Sequence, residues 1–156
     1  MPRKLRPVQI QNQLRKLKLK PTEVRRTIRA LDASSAFSAP EGDLSVVFLD
    51  DERIARLHGD FLGDPSPTDV ITFEGSPAMN FAGEICVSVD HAQRYAESHG
   101  VPFSRELTLY LVHGYLHLCG FDDTSEEKTS AMREAEEKAL EVLDRCGAFP
   151  AFVYTR

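Results

Sequence analysis

Cysteine is scarce in this sequence, and its few copies are not paired. Only Cys86, Cys119 and Cys146 occur in 156 residues, an odd number with no close pair along the chain. This usage is typical of proteins in a reducing compartment and argues against a disulfide-stabilised fold. We therefore expect a cytoplasmic protein whose stability comes from a packed core, which a chain of this length can form.

Long apolar runs are also absent. No stretch approaches the roughly 20 apolar residues that a transmembrane helix requires. The basic residues 1–20 have no continuous apolar centre, so they do not read as a signal peptide. Internal repeats are lacking too, and this basic start is the only biased segment. These absences predict a protein that does not associate with membranes.

Basic and acidic residues are unevenly distributed along the chain. Residues 1–30 contain ten Lys or Arg and one acidic residue, whereas the rest of the chain contains nine basic and 23 acidic residues. A basic segment on an acidic body is an expected footprint for a polyanion such as RNA; a solvated helix face is the alternative. The candidate phosphate contacts are Arg15, Lys16, Lys18, Lys20, Arg25, Arg26 and Arg29.

Hydrophobic periodicity and turn residues predict a mixture of strands and helices. The predicted strands cover residues 8–14, 44–49, 70–73 and 84–89, and the predicted helices cover residues 21–33, 51–62, 90–98, 104–118 and 124–145. These elements indicate the α/β (α+β) class. We expect one domain over residues 1–156, with a small mixed sheet of about four strands packed against about five helices.

Four details of this prediction concern loops and helix ends. Residues 63–69 contain two prolines and predict a stiff, extended loop, and residues 74–83 predict a turn-rich linker between two strands. Ser104 is the predicted N-cap of the fourth helix. Thr124 and Glu127 have the spacing of a capping box at the start of the fifth helix.

Two histidines lie one helical turn apart on the predicted helix 104–118. This helix is apolar almost all round, which is typical of a buried helix, so His113 and His117 each need a polar partner. At positions i and i+4 they share a face and are about 6 Å apart along the axis, close enough to bind one ion. The alternative is two histidines that are satisfied independently.

The residues after the histidines favour a metal site. Gly120 can turn the chain back over the same helix face, which would bring Asp122 or Asp123 to the ion. Cys119 points to the opposite side of the helix and is interpreted as a packing residue. The spacing of His113, His117 and residue 123 also matches metalloproteases with the pattern H-E-x-x-H-x-x-G-x-x-H. Their general-base glutamate is replaced here by Gly114, which makes a peptidase the weaker reading.

The segment HGYLHLCGFDD (113–123) resembles the signature H-G-x-L-H-L-x-G-[YF]-D-H of the YbeY family, bacterial rRNA maturation factors that are metal-dependent endoribonucleases. SPTDVITF (66–73) is similar to the family segment P-T-D-V-L-S-F, and AGEICVSV (82–89) to its G-D-I-x-I-S strand. SREL (104–107) and the acidic helix from residue 126 also resemble family segments. The resemblance extends over about residues 44–145 and implies a zincin-like motif helix.

The resemblance implies that His113, His117 and Asp123 are the ligands of one Zn²⁺ ion. His113 and His117 would act in catalysis through the metal-bound water. The third ligand is usually histidine in the family, so Asp123 is a departure, and its oxygen could favour another divalent metal. A second departure is Leu62, at the position of a family arginine that is associated with activity.

The other three histidines are not expected to be ligands. His58 replaces an asparagine of the family pattern and is interpreted as a surface or loop residue that could donate to a phosphate. His91 and His99, on a predicted amphipathic helix, are interpreted as solvated.

The function implied by the resemblance is cleavage of single-stranded RNA in rRNA maturation, including 16S rRNA 3′ end processing and ribosome quality control. The implied partners are rRNA and the small ribosomal subunit, and no DNA partner is expected. A non-catalytic ribosome-assembly factor stabilised by a metal is one alternative. A metallopeptidase-like hydrolase is the other.

Overall fold

The computed structural model describes residues 5–63 and 68–156. A four-stranded mixed sheet has the order β1-β3-β5-β4, with β1 (Val8–Asn12), β3 (Asp43–Leu49), β4 (Val70–Ser76) and β5 (Phe81–Ser88). Strands β1, β3 and β5 are parallel, and β4 pairs antiparallel with β5 at one edge. A separate two-stranded ribbon joins β2 (Leu17–Lys18) to β6 (Val153–Tyr154). The predicted mixed sheet and fold class are confirmed.

Five helices pack on the two faces of this sheet. They are α1 (Pro21–Ala33), α2 (Asp51–Leu62), α3 (Val89–His99), α4 (Phe103–Leu118) and α5 (Glu126–Cys146). Alternation along β3 and β5 divides the buried side chains: Phe48 and Ile85 belong to the larger core, and Val47 and Cys86 to the smaller one. Helices α1, α4 and α5 contribute to the larger core, whereas Ile54 of α2 belongs to the smaller one. None of the helices in the described ranges combines the length and apolar character needed to cross a bilayer.

The predicted first strand, 8–14, ends early, at Asn12. The side chain of Asn12 accepts a hydrogen bond from the backbone N–H of Leu14 at 3.0 Å and donates one to the carbonyl of Leu17 at 2.9 Å. Such local bonds compete with strand pairing and fold the chain into a turn. The prediction for residues 13 and 14 was therefore wrong.

The predicted linker at residues 74–83 is mostly strand. Strands β4 and β5 extend into it from both sides and leave a single turn of 3₁₀-helix, Pro77–Met79, followed by Asn80 at a positive φ of 52°. The two strands therefore form a hairpin with Pro77 at its tip, whereas Gly83 is paired within the sheet. Of the predicted extended loop 63–69, residues 64–67 lie outside the described part of the chain.

Two predicted helix caps were wrong. The hydroxyl of Ser104 donates to the carbonyl of Pro150 at 3.1 Å and accepts from the N–H of Phe152 at 2.9 Å, so it ties the C-terminal segment to α4. At α5 the cap is Ser125, which accepts from the N–H of Lys128 at 3.2 Å. Thr124 instead donates to Asp122.

Helix α4 packs directly on the sheet, as its apolar character predicts. Leu107, Leu111, Val112 and Leu116 are fully buried. A methyl group on Gly114 would lie 2.4 Å from Cγ2 of Ile85, which is far inside contact distance. The lack of a side chain at this position lets the helix approach β5 closely and fixes the height of its polar face above the sheet.

Candidate metal centre

The two histidines of α4 converge on one point. His113 and His117 are half-buried on the same face of the helix, and their Nε2 atoms lie 3.1 Å apart. Two nitrogens bound at about 2.0–2.1 Å to one tetrahedral ion are about 3.3 Å apart. The observed separation is therefore close to that of two ligands of a shared ion.

A carboxylate from α5 orients the first histidine. Nδ1 of His113 lies 3.2 Å from Oε1 of Glu136, and the two side chains are 20% and 17% exposed. Because a carboxylate accepts hydrogen bonds, this contact favours a proton on Nδ1 and leaves the Nε2 lone pair facing His117. Metal-bound histidines in proteins are commonly held by such a carboxylate.

The two histidines differ in proton affinity. The hydrogen bond to Glu136 raises the pKa of His113, although burial acts against it. Burial lowers the pKa of His117, and the neighbouring His113 lowers it further. His117 therefore favours the neutral form, in which a ring nitrogen has a free lone pair for an ion.

Asp123 is brought to the histidines by the turn after α4. Gly120 has a positive φ of 103°, and the N–H groups of Gly120 and Phe121 donate to the carbonyls of His117 and Leu116. One carboxylate oxygen of Asp123 and one ring nitrogen of each histidine all lie within 4.8 Å of one another. The predicted reversal of the chain at Gly120 is confirmed.

The neighbouring Asp122 has a different task. Its carboxylate accepts from the N–H of Thr124 at 3.1 Å and from its hydroxyl at 2.9 Å, and Nζ of Lys128 lies 3.5 Å away. The backbone N–H of Thr124 is the main cause of the lowered pKa of Asp122. Through these contacts Asp122 stabilises the loop before α5. The spacing left both aspartates open as the third metal ligand, and Asp123 is therefore the better candidate.

The three side chains together fit a divalent metal ion. Two imidazole nitrogens and one carboxylate oxygen are donors that zinc accepts, and the oxygen is also suited to harder ions. Helix α4 positions the two histidines, and the loop between α4 and α5 positions Asp123. The predicted residues His113, His117 and Asp123 are thus brought together in the structure.

Gly114 leaves no room for a protease-type base. Its Cα faces the sheet, where Cγ2 of Val70 and Cγ2 of Thr72 would also crowd an added methyl group, at 3.2 and 3.4 Å. A glutamate at this position would collide with β4 and β5. The site therefore differs from that of the metalloproteases through its packing as well as through its sequence.

Asp69 adds a negative charge beside the histidines. It immediately precedes β4, and its carboxylate accepts from the N–H of Val70 at 2.9 Å. Asp69 acts to raise the pKa of both histidines, after the larger effects of the Glu136 hydrogen bond and burial on His113 and of burial and the His113 charge on His117. The electrostatic surroundings of the pair therefore favour a cation.

The remaining histidines lie elsewhere, and one prediction about them was wrong. His91 is not solvated: it is half-buried on α3, and its Nδ1 lies 2.9 Å from the hydroxyl of Tyr110. His99 is exposed, as predicted, and stacks on Tyr95. His58 lies within α2 and is half-buried. Cys119 packs against the larger core, as predicted.

The basic residues are located at the other end of α4. Strand β2 pairs with β6, whose Tyr154 contacts Phe103 in the first turn of α4, about 21 Å along the helix axis from His117. Arg15, Lys16, Lys18 and Lys20 are exposed there.

Arg25 donates to the carbonyl of Val8, and Arg26 to that of Cys146 at the end of α5. Arg29 is half-buried, and its Nε has no hydrogen-bond partner among the described residues.

Sequence reasoning missed Glu136 and Asp69. Glu136 is 23 residues from His113 and is one of several acidic residues on α5, so its position in the sequence does not distinguish it. The available signal was helical phase, since Glu136 flanks the face formed by Met132, Ala135 and Ala139. Asp69 lies within the segment SPTDVITF, which marked a resemblance but not a role.

Comparison with known proteins gives a consistent result. The family described as Endoribonuclease YbeY matches residues 9–144. A protein named Endoribonuclease YbeY from Brevibacillus brevis is 34% identical over 133 residues, which cover 74% of this chain and 84% of the relative. Its namesake from Syntrophus aciditrophicus is 33% identical over 144 residues, covering 87% and 89%.

A solved structure supports the fold. The solution structure of a Thermotoga maritima protein matches with a TM-score of 0.61 and 23% identity, and covers 88% of this chain and 90% of that one. At this identity the likeness concerns the fold alone. The family match and the relatives confirm the resemblance found in the motifs: the chain belongs to the family of the YbeY endoribonucleases.

Proposed function

We propose that this protein is a metal-dependent endoribonuclease that cleaves single-stranded RNA in rRNA maturation, including processing at the 3′ end of 16S rRNA, and in ribosome quality control. The observation that carries the proposal is the pair of facing Nε2 atoms on His113 and His117, 3.1 Å apart, with Asp123 beside them. Membership of a family whose named relatives are endoribonucleases supports RNA as the substrate.

His113, His117 and Asp123 would hold one divalent ion, for which Zn²⁺ is the first candidate. When bound, such an ion supplies Lewis acidity towards a phosphodiester oxygen and lowers the pKa of a water molecule. The carboxylate ligand supports a second possibility, since oxygen donors also accept harder divalent ions. The choice between zinc and another metal therefore depends on Asp123.

The surrounding residues hold the ligands in place. Glu136 holds the ring of His113 through the contact with its Nδ1 atom. Thr129 donates its hydroxyl to the backbone carbonyl of Asp123 at 3.3 Å, which ties the third ligand to α5. A ligand set prepared in this way keeps its geometry when substrate enters.

The exposed basic residues are candidates for contacts with the RNA backbone away from the reaction centre. Arg15, Lys16, Lys18 and Lys20 are exposed and accessible to phosphates, whereas Arg25 and Arg26 each donate to a backbone carbonyl. Arg29 belongs to the same candidate group. Action on rRNA and the small ribosomal subunit would place the protein in the cytoplasm.

The alternatives are less well supported. A peptidase would require a general base, and Gly114 has no space for a carboxylate. A non-catalytic assembly factor would agree with the ligand set, but the relatives are named as enzymes.

To test this proposal, purified protein is incubated separately with four labelled substrates. These are single-stranded RNA, duplex RNA, single-stranded DNA and an unstructured peptide. Wild type, His117→Ala and the surface control Arg145→Gln are compared, each with and without chelator. We expect cleavage of single-stranded RNA alone, lost in His117→Ala and in chelator but retained in Arg145→Gln. Peptide cleavage, or intact RNA with stoichiometric metal, would contradict the proposal.

A further inference from the structure

An open groove begins at Asp123 and runs along the first turns of α5. Its volume is about 500 Å³, which is within the range of small-ligand sites, and it is lined by residues 123–126, Thr129, Ser130 and Arg133. Arg133 is the only cation in this lining. We propose that Arg133 binds a phosphodiester group of the RNA beside Asp123; this inference rests on the proposed function.

Helix α5 contacts the candidate metal centre at two points, and Arg133 lies between them. The first point is Thr129, whose hydroxyl donates to the carbonyl of Asp123, and the second is Glu136, which contacts His113. Arg133 is four residues after Thr129 and three before Glu136, so all three lie on adjacent positions of one helix flank. Arg133 and Asp123 line the same groove.

Helical phase separates this flank from the core face. Met132, Ala135, Ala139 and Leu143 are buried and mark the core side of α5. At about 100° per residue, Arg133 is about 60° from Glu136, on the side away from the core. Lys138 is about 140° from Arg133 on the opposite flank, and it is exposed. The same helix therefore provides a second cation that faces away from the site.

The guanidinium of Arg133 has no partner that holds it in place in the described part of the chain. Within residues 5–63 and 68–156 it makes no hydrogen bond and no ion pair, whereas the nearby Lys128 is paired with Asp122 at 3.5 Å. Arg133 is exposed, so its charge is available to a ligand in the groove. A guanidinium can donate two parallel hydrogen bonds to a phosphate, which a lysine cannot.

The chemistry of the groove indicates why a phosphate would bind at this end. Glu126 lines the groove on the far side of Thr129 and repels anions there, and the charge of Asp123 would be offset by a bound cation. Ser130 adds an exposed hydroxyl near Arg133.

The test compares Arg133→Met with Lys138→Met, which removes the same charge from the opposite flank, and with Arg133→Lys. Binding of labelled single-stranded RNA is measured by fluorescence anisotropy between 50 and 300 mM salt, in metal-loaded protein whose metal content is checked. Single-turnover cleavage is measured in parallel. We expect Arg133→Met to reduce the slope of log affinity against log salt by about 0.7, the value of one phosphate contact with single strands.

Cleavage by Arg133→Met should fall about 10- to 100-fold at unchanged metal content, with Arg133→Lys in between and Lys138→Met near wild type. If wild type cleaves RNA and Arg133→Met equals Lys138→Met in slope and rate, the inference is wrong and the proposed function stands. If RNA stays intact but the slope changes only in Arg133→Met, the proposed function fails and the phosphate site stands. If wild type neither binds nor cleaves RNA, both fail.

Discussion

Oε1 of Glu136 on α5 lies 3.2 Å from Nδ1 of His113 on α4, and this contact joins two helices at the point where the histidine pair is formed. The opposite ring nitrogen of His113 is thereby directed at His117. Glu136 thus sets both the orientation and the preferred tautomer of a candidate ligand, although it is not expected to touch the ion.

Replacing Glu136 should weaken metal binding without unfolding the protein. We expect Glu136→Gln to lose about 10- to 100-fold in metal affinity, as is usual for partners of metal-bound histidines, and Glu136→Ala to lose more. Competition with a chromophoric chelator measures the affinity. Glu137→Gln makes the same charge change on the adjacent exposed position, and equal losses in the two variants would refute the role of Glu136.

Substitutions of Asp123 and Asp122 should have different effects on metal content and stability. Asp123→Ala removes a carboxylate that lies within 4.8 Å of the histidine nitrogens and should lower metal content measured by elemental analysis. Asp122→Ala removes bonds to Thr124 and the pair with Lys128, so it should lower the melting temperature and leave metal content unchanged. The opposite assignment of the two effects would make Asp122 the ligand.

The same position tests the choice of metal. Asp123→His replaces an oxygen ligand by imidazole and should shift preference towards zinc over manganese or magnesium. The competition is measured with the three ions at equal concentrations. An unchanged preference would mean that Asp123 does not determine metal identity.

Substitution of Gly114 should reveal how tightly α4 packs on the sheet. The methyl group of Gly114→Ala would overlap Cγ2 of Ile85, which is fully buried, and overpacking of this kind costs about 1–3 kcal/mol. Denaturant unfolding measures the loss. In the Ile85→Ala background the same substitution should cost much less, so additive losses in the double variant would contradict the contact.

The exposed basic residues near β2 should contribute to RNA affinity through charge alone. Changing Arg15, Lys16, Lys18 and Lys20 together to Gln should flatten the salt dependence of single-stranded RNA binding by up to about 3 in slope. The rate of cleavage of bound RNA should change little, because these residues lie at the far end of α4 from the histidines. If the variant with all four substitutions has an unchanged slope, these residues do not contact the RNA.

The parts of this structure that could be predicted from the sequence depend on local patterns. The burial of α4 follows from its apolar residues, and the shared face of His113 and His117 follows from their spacing of four. Gly120 predicted the reversal of the chain because its positive φ is readily adopted only by glycine. These features require no knowledge of distant residues.

The features that were missed depend on tertiary contacts. Ser104 has the chemistry of a helix cap, yet it bonds to residues 150 and 152, which only the folded chain brings close. His91 lies on an amphipathic helix, yet Tyr110 of α4 covers it. Glu136 is selected from the acidic residues of α5 by the packing of α5 on α4. In each case a polar side chain found a partner far away in the sequence.

RNA cleavage is expected to depend on an ion held by His113, His117 and Asp123. The most direct measurement is the single-turnover rate of cleavage of single-stranded RNA in metal-free protein titrated with Zn²⁺, with bound metal determined in the same samples. We expect a rate that rises in proportion to metal occupancy and saturates at one ion per chain, and no such rise in His113→Ala. Full activity in metal-free protein, or a rate independent of occupancy, would contradict this expectation.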